Sequence, residues 1–217
     1  MIVLGLDPSL TNFGWAVHDT SHPVGDSKRC VRRGRFQTSA RTLFIDRYID
    51  MRERLRALLQ EVVPDRVGVE YPVFNDLWSE GMYGLFLYTC EALRLEEQDV
   101  VFWSPMQAKA FARDSIKRPK GWKMMKADMV EAAKADAGKG QWNHNEADAY
   151  HVARLSAQFW LFHDGQLAEE DMTDTERRYF TMVKTYVRGK KAGRVEHRGM
   201  VYREGDRFFL WSQDNEE

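Results

Sequence analysis

Residues 1–17 read MIVLGLDPSLTNFGWAV, and the fold turns on how this stretch is read. Residues 2–6 are a short apolar run of the length of a buried strand. Asp7 ends it, immediately before a Pro-Ser turn. Residues 13–20 are a second β-like stretch, and residues 30–38 a third, with the turn formers His22, Pro23, Gly25 and Asp26 between them. Connections this short predict three antiparallel strands that open the chain.

Working outward, Phe44, Tyr48, Met51, Leu55, Leu58 and Val62 recur at spacings of three and four, the period of an amphipathic helix, which Pro64-Asp65 stops. Residues 67–70 form a short strand that ends in Glu70. A strand, a helix and a strand with no room for a hairpin imply a parallel crossover. A second helix is expected over residues 77–95 and a fifth strand over 100–104. Pro105 is suited to the first position of a following helix. Residues 116–123 carry Pro119 and Gly121 and read as a basic loop. Helices are expected near 126–137 and 145–163, and then over 173–186. The chain closes with a hairpin, 200–203 and 207–211, around Glu204-Gly205-Asp206. This order predicts an α/β domain over residues 1–163 and an extension over 164–217, packed on the same domain or on a partner.

Three carboxylates fall where such an architecture gathers its chemistry. Asp7 and Glu70 end strands, and neighbouring parallel strands bring their C-terminal ends to one edge of the sheet. Asp148 lies in the segment NEADAYHVA, between Ala147 and Ala149, whose small side chains let a helix lie close to a sheet. Asn145 is one turn earlier on the same face. Acids so gathered repel one another unless a cation or proton intervenes. Hard oxygen ligands suit Mg²⁺, and a pair of such ions can activate water and stabilise both oxygens of an in-line displacement at a phosphodiester. Taken singly, each acid could equally cap a turn or face solvent.

These motifs, in this order, resemble the RuvC-type Holliday junction resolvases. The opening strand ending in Asp-Pro, VGVEYPVF around Glu70, SPMQAKAF around Lys109 and NEADAYHVARL around Asp148 are similar to that family's successive motifs over roughly residues 1–162. The resemblance implies an RNase H-like fold: a five-stranded mixed sheet flanked by helices, here with a C-terminal helix and β-hairpin added. It implies Asp7, Glu70 and Asp148 as catalytic metal ligands, with Asp7 shared between two Mg²⁺ ions (Mn²⁺ as substitute). The fourth ligand of the family falls on Asn145, a neutral donor in place of the usual acid or histidine. That is a natural variation, with His144 helping, or an inactivating change. Lys126 is the candidate to approach the scissile phosphate, though a solvated lysine at a helix start reads equally well. His151 reads as a packed or surface histidine.

The same resemblance assigns Lys109 to DNA and leaves Tyr71 and Phe74 as options for an aromatic residue that stacks on unstacked bases. Phe74 could instead pack beneath the next helix. Lys117, Arg118, Lys120 and Lys123 read as phosphate contacts, which position a duplex without reading its sequence. Trp122 either stacks on a base or anchors the loop. The helix over 77–95, with Gly81 and Gly84, corresponds to the family's dimer-forming element. A homodimer suits the two-fold symmetry of a four-way DNA junction.

Composition supports these expectations without deciding them. The net charge of −1 is neutral on nucleic acid, but the distribution is uneven. Residues 28–35 hold five basic side chains, 109–126 hold seven and 184–198 hold six, which is what a local DNA-facing potential requires. Residues 164–176 are acidic. Cys30 and Cys90 fit no metal or disulfide spacing. No apolar run reaches the roughly 20 residues of a membrane helix, and no basic leader precedes the first strand. The location expected is therefore cytoplasmic, in a bacterium or a phage-infected cell, and the added tail points to a phage member. An actin-like or sugar-kinase ATPase opens similarly, but the glycine-rich phosphate turns it needs are missing downstream. A nuclease for other branched DNA or RNA remains the nearer alternative, and a catalytically dead DNA-binding module is the third.

Overall fold

The computed structural model describes residues 1–71, 80–119, 121–181, 183–185, 195–197, 200–205 and 207–211. β1 (Ile2–Asp7), β2 (Asn12–Asp19) and β3 (Cys30–Gln37) form the expected antiparallel meander, with Asp7 opposite Gly14 and Phe13 opposite Phe36. α1 (Phe44–Val62) crosses over to β4 (Arg66–Glu70), which lies parallel to β1, Leu6 paired with Val69. Val63 ends α1 in the left-handed conformation, φ 47°, just before Pro64. α2 (Glu80–Leu95) leads to β5 (Val100–Trp103), parallel to β4, with Glu70 opposite Trp103.

α3 (Pro105–Ser115) begins with Pro105 in its first turn, as the sequence predicts, and Ser104 caps it while Gln107 reaches back to the cap. α4 (Lys126–Ala137) and α5 (His144–His163) follow, the latter capped by Asn143 with Glu146 completing the box. α1 and α2 cover one side of the sheet over a core that includes Leu4, Leu6, Met51, Leu55 and Leu93. α5 lies across the other side.

Two expectations change in the tail. The helix expected over 173–186 ends early: α6 spans Asp174–Phe180, and β6 (Val183–Thr185) then pairs with β7 (Val195–His197). The sequence switches there to β-branched residues, Thr181, Val183 and Thr185, which resist continuing a helix. The sheet also has seven strands rather than five. β8 (Met200–Glu204) and β9 (Arg207–Trp211) form the expected hairpin, with Gly205 at φ 56° in its turn. The hairpin joins the main sheet: β8 runs antiparallel to β5, Val101 opposite Tyr202, so the order is β3-β2-β1-β4-β5-β8-β9. Tyr202, Met172 and Phe180 complete a second core with Trp103, Phe159 and Trp160. Such a pairing between distant residues leaves no local signature for a sequence pattern to report.

Candidate active site

β1 and β4 are in register through Leu6 and Val69, so the next residues, Asp7 and Glu70, end side by side on neighbouring parallel strands. Asp148 reaches them because α5 lies unusually low on the sheet, and three strand glycines make that approach possible. A Cβ on Gly14 of β2 would stand 2.2 Å from the carbonyl oxygen of Asn145. One on Gly5 of β1 would stand 2.0 Å from that of Ala149, and one on Gly68 of β4 would stand 1.8 Å from Ser156 Oγ. Glycine inside a strand marks such a close approach of another backbone. Asn145, Ala149 and Ser156 lie along one face of the helix, so α5 crosses β2, β1 and β4 in turn and carries Asp148 to the edge where β1 and β4 end. These glycines are visible in the sequence, but their alignment across three strands emerges only from the register.

The electrostatics of the three acids show that they act on one another. Each keeps part of its surface open, yet protein atoms crowd the carboxyl groups. Asp7 is pushed well above the ordinary carboxylate range, by burial first and then by the charges of Glu70 and Asp148. Glu70 is raised to about 7 by burial and by Asp148, and Asp148 to about 6 by burial. The positive charges of Lys109 and Lys126 oppose the shift at Asp7 and Asp148, and that of Lys109 opposes it at Glu70. Lys109, at α3, and Lys126, at the start of α4, are both exposed, so the sequence-predicted lysines flank the acids from two helices.

Among the described residues, no three His, Cys, Asp or Glu side chains are grouped tightly enough to enclose an ion unaided. The donor set nevertheless fits a divalent cation. Asp148 Oδ1 is buried with no hydrogen-bond partner, a costly arrangement for a carboxylate oxygen. Its neighbours are two further carboxylates held above their usual pKa. A cation that keeps several waters needs only one or two protein carboxylates directly, which suits an open edge of this kind.

Asn145 has a defined structural role. Its Nδ2 donates to the backbone oxygen of Asn12 at 2.6 Å, and its backbone N–H donates to Asn143 Oδ1 at 3.0 Å. The amide thus ties the first turn of α5 to the start of β2, which leaves only its oxygen for any further partner. His144 is half-buried, with its basicity lowered by burial and by the charges of Lys126 and Arg35. His151 proves to be a packed histidine. It is fully buried, its Nε2–H donates to Met129 O at 3.0 Å and its Nδ1 faces Arg154 at 3.3 Å. Burial and Arg154 lower its pKa to about 3 and keep it neutral.

The remaining sequence-predicted positions separate by environment. Tyr71 is packed edge-on against Phe86, at 5.2 Å between ring centroids, and against Phe102, at 6.3 Å, so its ring belongs to the core beneath α2. Phe74 and Lys120 lie outside the described residues. In the loop between α3 and α4, Lys117 is exposed and adopts φ 52°, and Lys123 is exposed. Arg118 pairs with Glu131 at 2.8 Å and lies 5.4 Å over Trp122. Trp122 donates from Nε1 to Asp128 Oδ2 at 3.3 Å while staying half exposed. It anchors the loop and still offers ring surface.

Sequence reasoning missed a buried charge network behind the site. Asp136 accepts from Arg29 Nε at 3.0 Å and from the Tyr150 hydroxyl at 2.6 Å, and it pairs with Arg154 Nη2 at 2.9 Å. The two arginines hold its carboxyl below the usual range against the cost of burial. The network ties α4 to α5 and to the segment before β3. Nothing in the spacing of residues 29, 136 and 154 announces it.

No family model matches the chain, and no curated protein does. Among solved structures, the chain is similar to Thermus thermophilus RuvC in complex with Holliday junction substrate. The TM-score is 0.61 at 20% identity, over 76% of this chain and 97% of that one. A second structure of Thermus thermophilus RuvC gives a TM-score of 0.58 at 19% identity, over 76% of this chain and 98% of that one. The protein therefore has the RNase H-like fold of RuvC over 76% of its length, as the resemblance of its motifs implied.

Proposed function

We propose that this RuvC-like fold serves a metal-dependent DNA endonuclease that places paired nicks in four-way junctions and works as a homodimer in the cytoplasm. The observation that carries the reading is the gathering of Asp7 and Glu70 at the ends of neighbouring strands with Asp148 close enough to act on both, and Lys109 and Lys126 beside them. Asp7, Glu70 and Asp148 would hold divalent cations, with Mg²⁺ the choice of their oxygen donors. When bound, such ions supply Lewis-acid activation of the phosphodiester and of water.

The chain's own residues account for the rest. Asp148 Oδ1 offers an acceptor already stripped of protein partners. Lys109 and Lys126 offset the carboxylate charge and stand where a cation can steady the scissile phosphate as charge builds on it. Lys117, Arg118 and Lys123 supply backbone contacts to a duplex arm. Asn145 holds α5 in place through its amide.

Dimerisation is supported by apolar surface on the α1–α2 pair: Phe44, Ile45, Ile49, Tyr83 and Leu87 are each two-fifths or more exposed. Such surface on a soluble domain marks an interaction site. Among the described residues, no helix is long and apolar enough to cross a membrane.

Cleavage of four-way, Y-shaped and linear duplexes with and without Mg²⁺ tests the proposal. Paired symmetric nicks confined to the four-way substrate are expected. Equal cutting of the Y-shaped substrate would make this a general branched-DNA nuclease, and Mg²⁺-independent cutting would remove the acid cluster from the chemistry.

A further inference from the structure

A groove of about 580 Å³ leaves the acid edge between α4 and the start of α5. Lys126 forms its near end, where it also acts on Asp7 and Asp148. Lys134, two turns along α4, lines its far side, with Trp142 and His144 opposite. β3 lies beside it, where Arg33 stacks on the Trp142 ring. Arg33 and Arg35 share one face of that strand. Arg35 is close enough to His144 to lower its basicity.

The lining sorts into walls and free charges. Arg33 lies 3.9 Å over the Trp142 ring, donates to Gln141 O at 3.1 Å and pairs with Glu146 at 3.4 Å, so it and the indole form a fixed wall. Glu131, the acid in the groove, is occupied by Arg118 at 2.8 Å. Arg35, Lys126 and Lys134 are exposed and make no ion pair among the described residues. The groove is thus a cationic track that begins at the acids and is lined by His144 and the Trp142 indole.

We propose that this groove carries a DNA strand adjoining the cut phosphate, with Arg35 and Lys134 each contacting a backbone phosphate beyond the one at Lys126. The proposal rests on the nuclease reading above and adds a strand path on the β3–α4 side, with Arg118 of the α3–α4 loop reaching only its Glu131. A phosphodiester backbone fits better than a small anion. The cations are strung along an open channel rather than converging on a point, and the shared end is the acid cluster itself.

The test is equilibrium binding of the full chain to a four-way junction at several salt concentrations, in Ca²⁺ or chelator so that no cutting occurs. The variants are Arg35→Ala with Lys134→Ala, and separately the charge-keeping pair Arg35→Lys with Lys134→Arg. Each phosphate contact contributes about 0.9 to the slope of log affinity against log salt, so losing two lowers the slope by about 1.8. Wild-type protein should then lose about 12-fold more affinity than the alanine pair between 50 and 200 mM salt. The charge-keeping pair should retain the wild-type slope.

An alanine pair that binds with the wild-type slope overturns the groove while leaving the nuclease reading intact. A wild-type protein that prefers no DNA over competitor polyanions overturns both. Should the alanine pair fail to fold, the single variants Arg35→Gln and Lys134→Gln, each expected to lower the slope by about 0.9, decide the matter.

Discussion

At the scale of the residue, the acids at the sheet edge carry opposed consequences for catalysis and stability. Asp7 is held far above its ordinary pKa by burial and by two like charges. In the unfolded chain the same carboxyl ionises in the ordinary carboxylate range. Below that range both states are protonated and nothing is lost. As pH rises, the unfolded chain ionises first, so metal-free protein should lose stability from about pH 4 to about pH 7, where Glu70 follows. Asp7→Asn removes the repulsion. It should abolish nicking, leave junction binding intact and raise the melting temperature at pH 7 in chelator by about 5 °C, roughly 2 kcal/mol. A variant that cuts at the wild-type rate would refute the assignment of Asp7.

Asn145 makes the complementary case. An aspartate there would set a carboxylate oxygen against Asn12 O in place of the 2.6 Å hydrogen bond. Asn145→Asp should therefore lower metal-free stability by about 1–3 kcal/mol, read by thermal melting. An unchanged melt would show that the amide is no tether. The positions of the acids were legible in the sequence, because strand-end carboxylates and an acid between alanines are local patterns. The tether was not, since its partner is a backbone carbonyl 133 residues away.

At the scale of the element, the decisive feature is the seating of α5 on Gly14, Gly5 and Gly68. Its amphipathic period is weak because nearly every face is covered: Ala147, Ala149, Val152, Ala153, Leu155 and Phe159 are all fully buried. The sequence shows the helix and its cap, but small residues on many faces do not say which face meets the sheet. Gly5→Ala should drive the new methyl group into the Ala149 carbonyl and cost about 3 kcal/mol. Its melting temperature and cleavage rate should fall together, because Asp148 moves with the helix. A stable variant of normal activity would show that α5 can lift without cost. The helix over 173–186 was misjudged for a different reason. Thr173 and Glu176 do cap its start, but the β-branched Thr181, Val183 and Thr185, with Phe180 anchored between Trp103 and Phe159, end the helix early.

At the scale of the whole molecule, near-zero net charge conceals a polarised surface. The loop between α3 and α4 holds Lys117 and Lys123 exposed. Replacing Lys117, Arg118 and Lys123 together by alanine should lower the salt slope of junction binding by about 2.7, three phosphate contacts' worth. A full wild-type slope would remove the loop from the interface. If the α1–α2 surface pairs two copies, Tyr83→Glu with Leu87→Glu should yield monomers by sedimentation and uncouple the two nicks. Dimers that persist would place the contact elsewhere. Of the molecule as a whole, the sequence displayed the first five strands and their crossovers. It did not display the closing of the sheet, which joins Val101 in the middle of the chain to Tyr202 in its tail.

That closing has a consequence for synthesis. Tyr202 pairs with Val101, so roughly 100 residues separate β5 from the strand that shields it. At translation rates of about 5–20 residues per second, the ribosome leaves the rim of β5 bare for about 5–20 s, and Asp148 emerges only about midway through that interval. A naked hydrogen-bonding ladder beside Trp103 and Phe102 invites another nascent copy to pair there. Chains cut short before residue 200 should accumulate as aggregates rather than as inactive soluble protein.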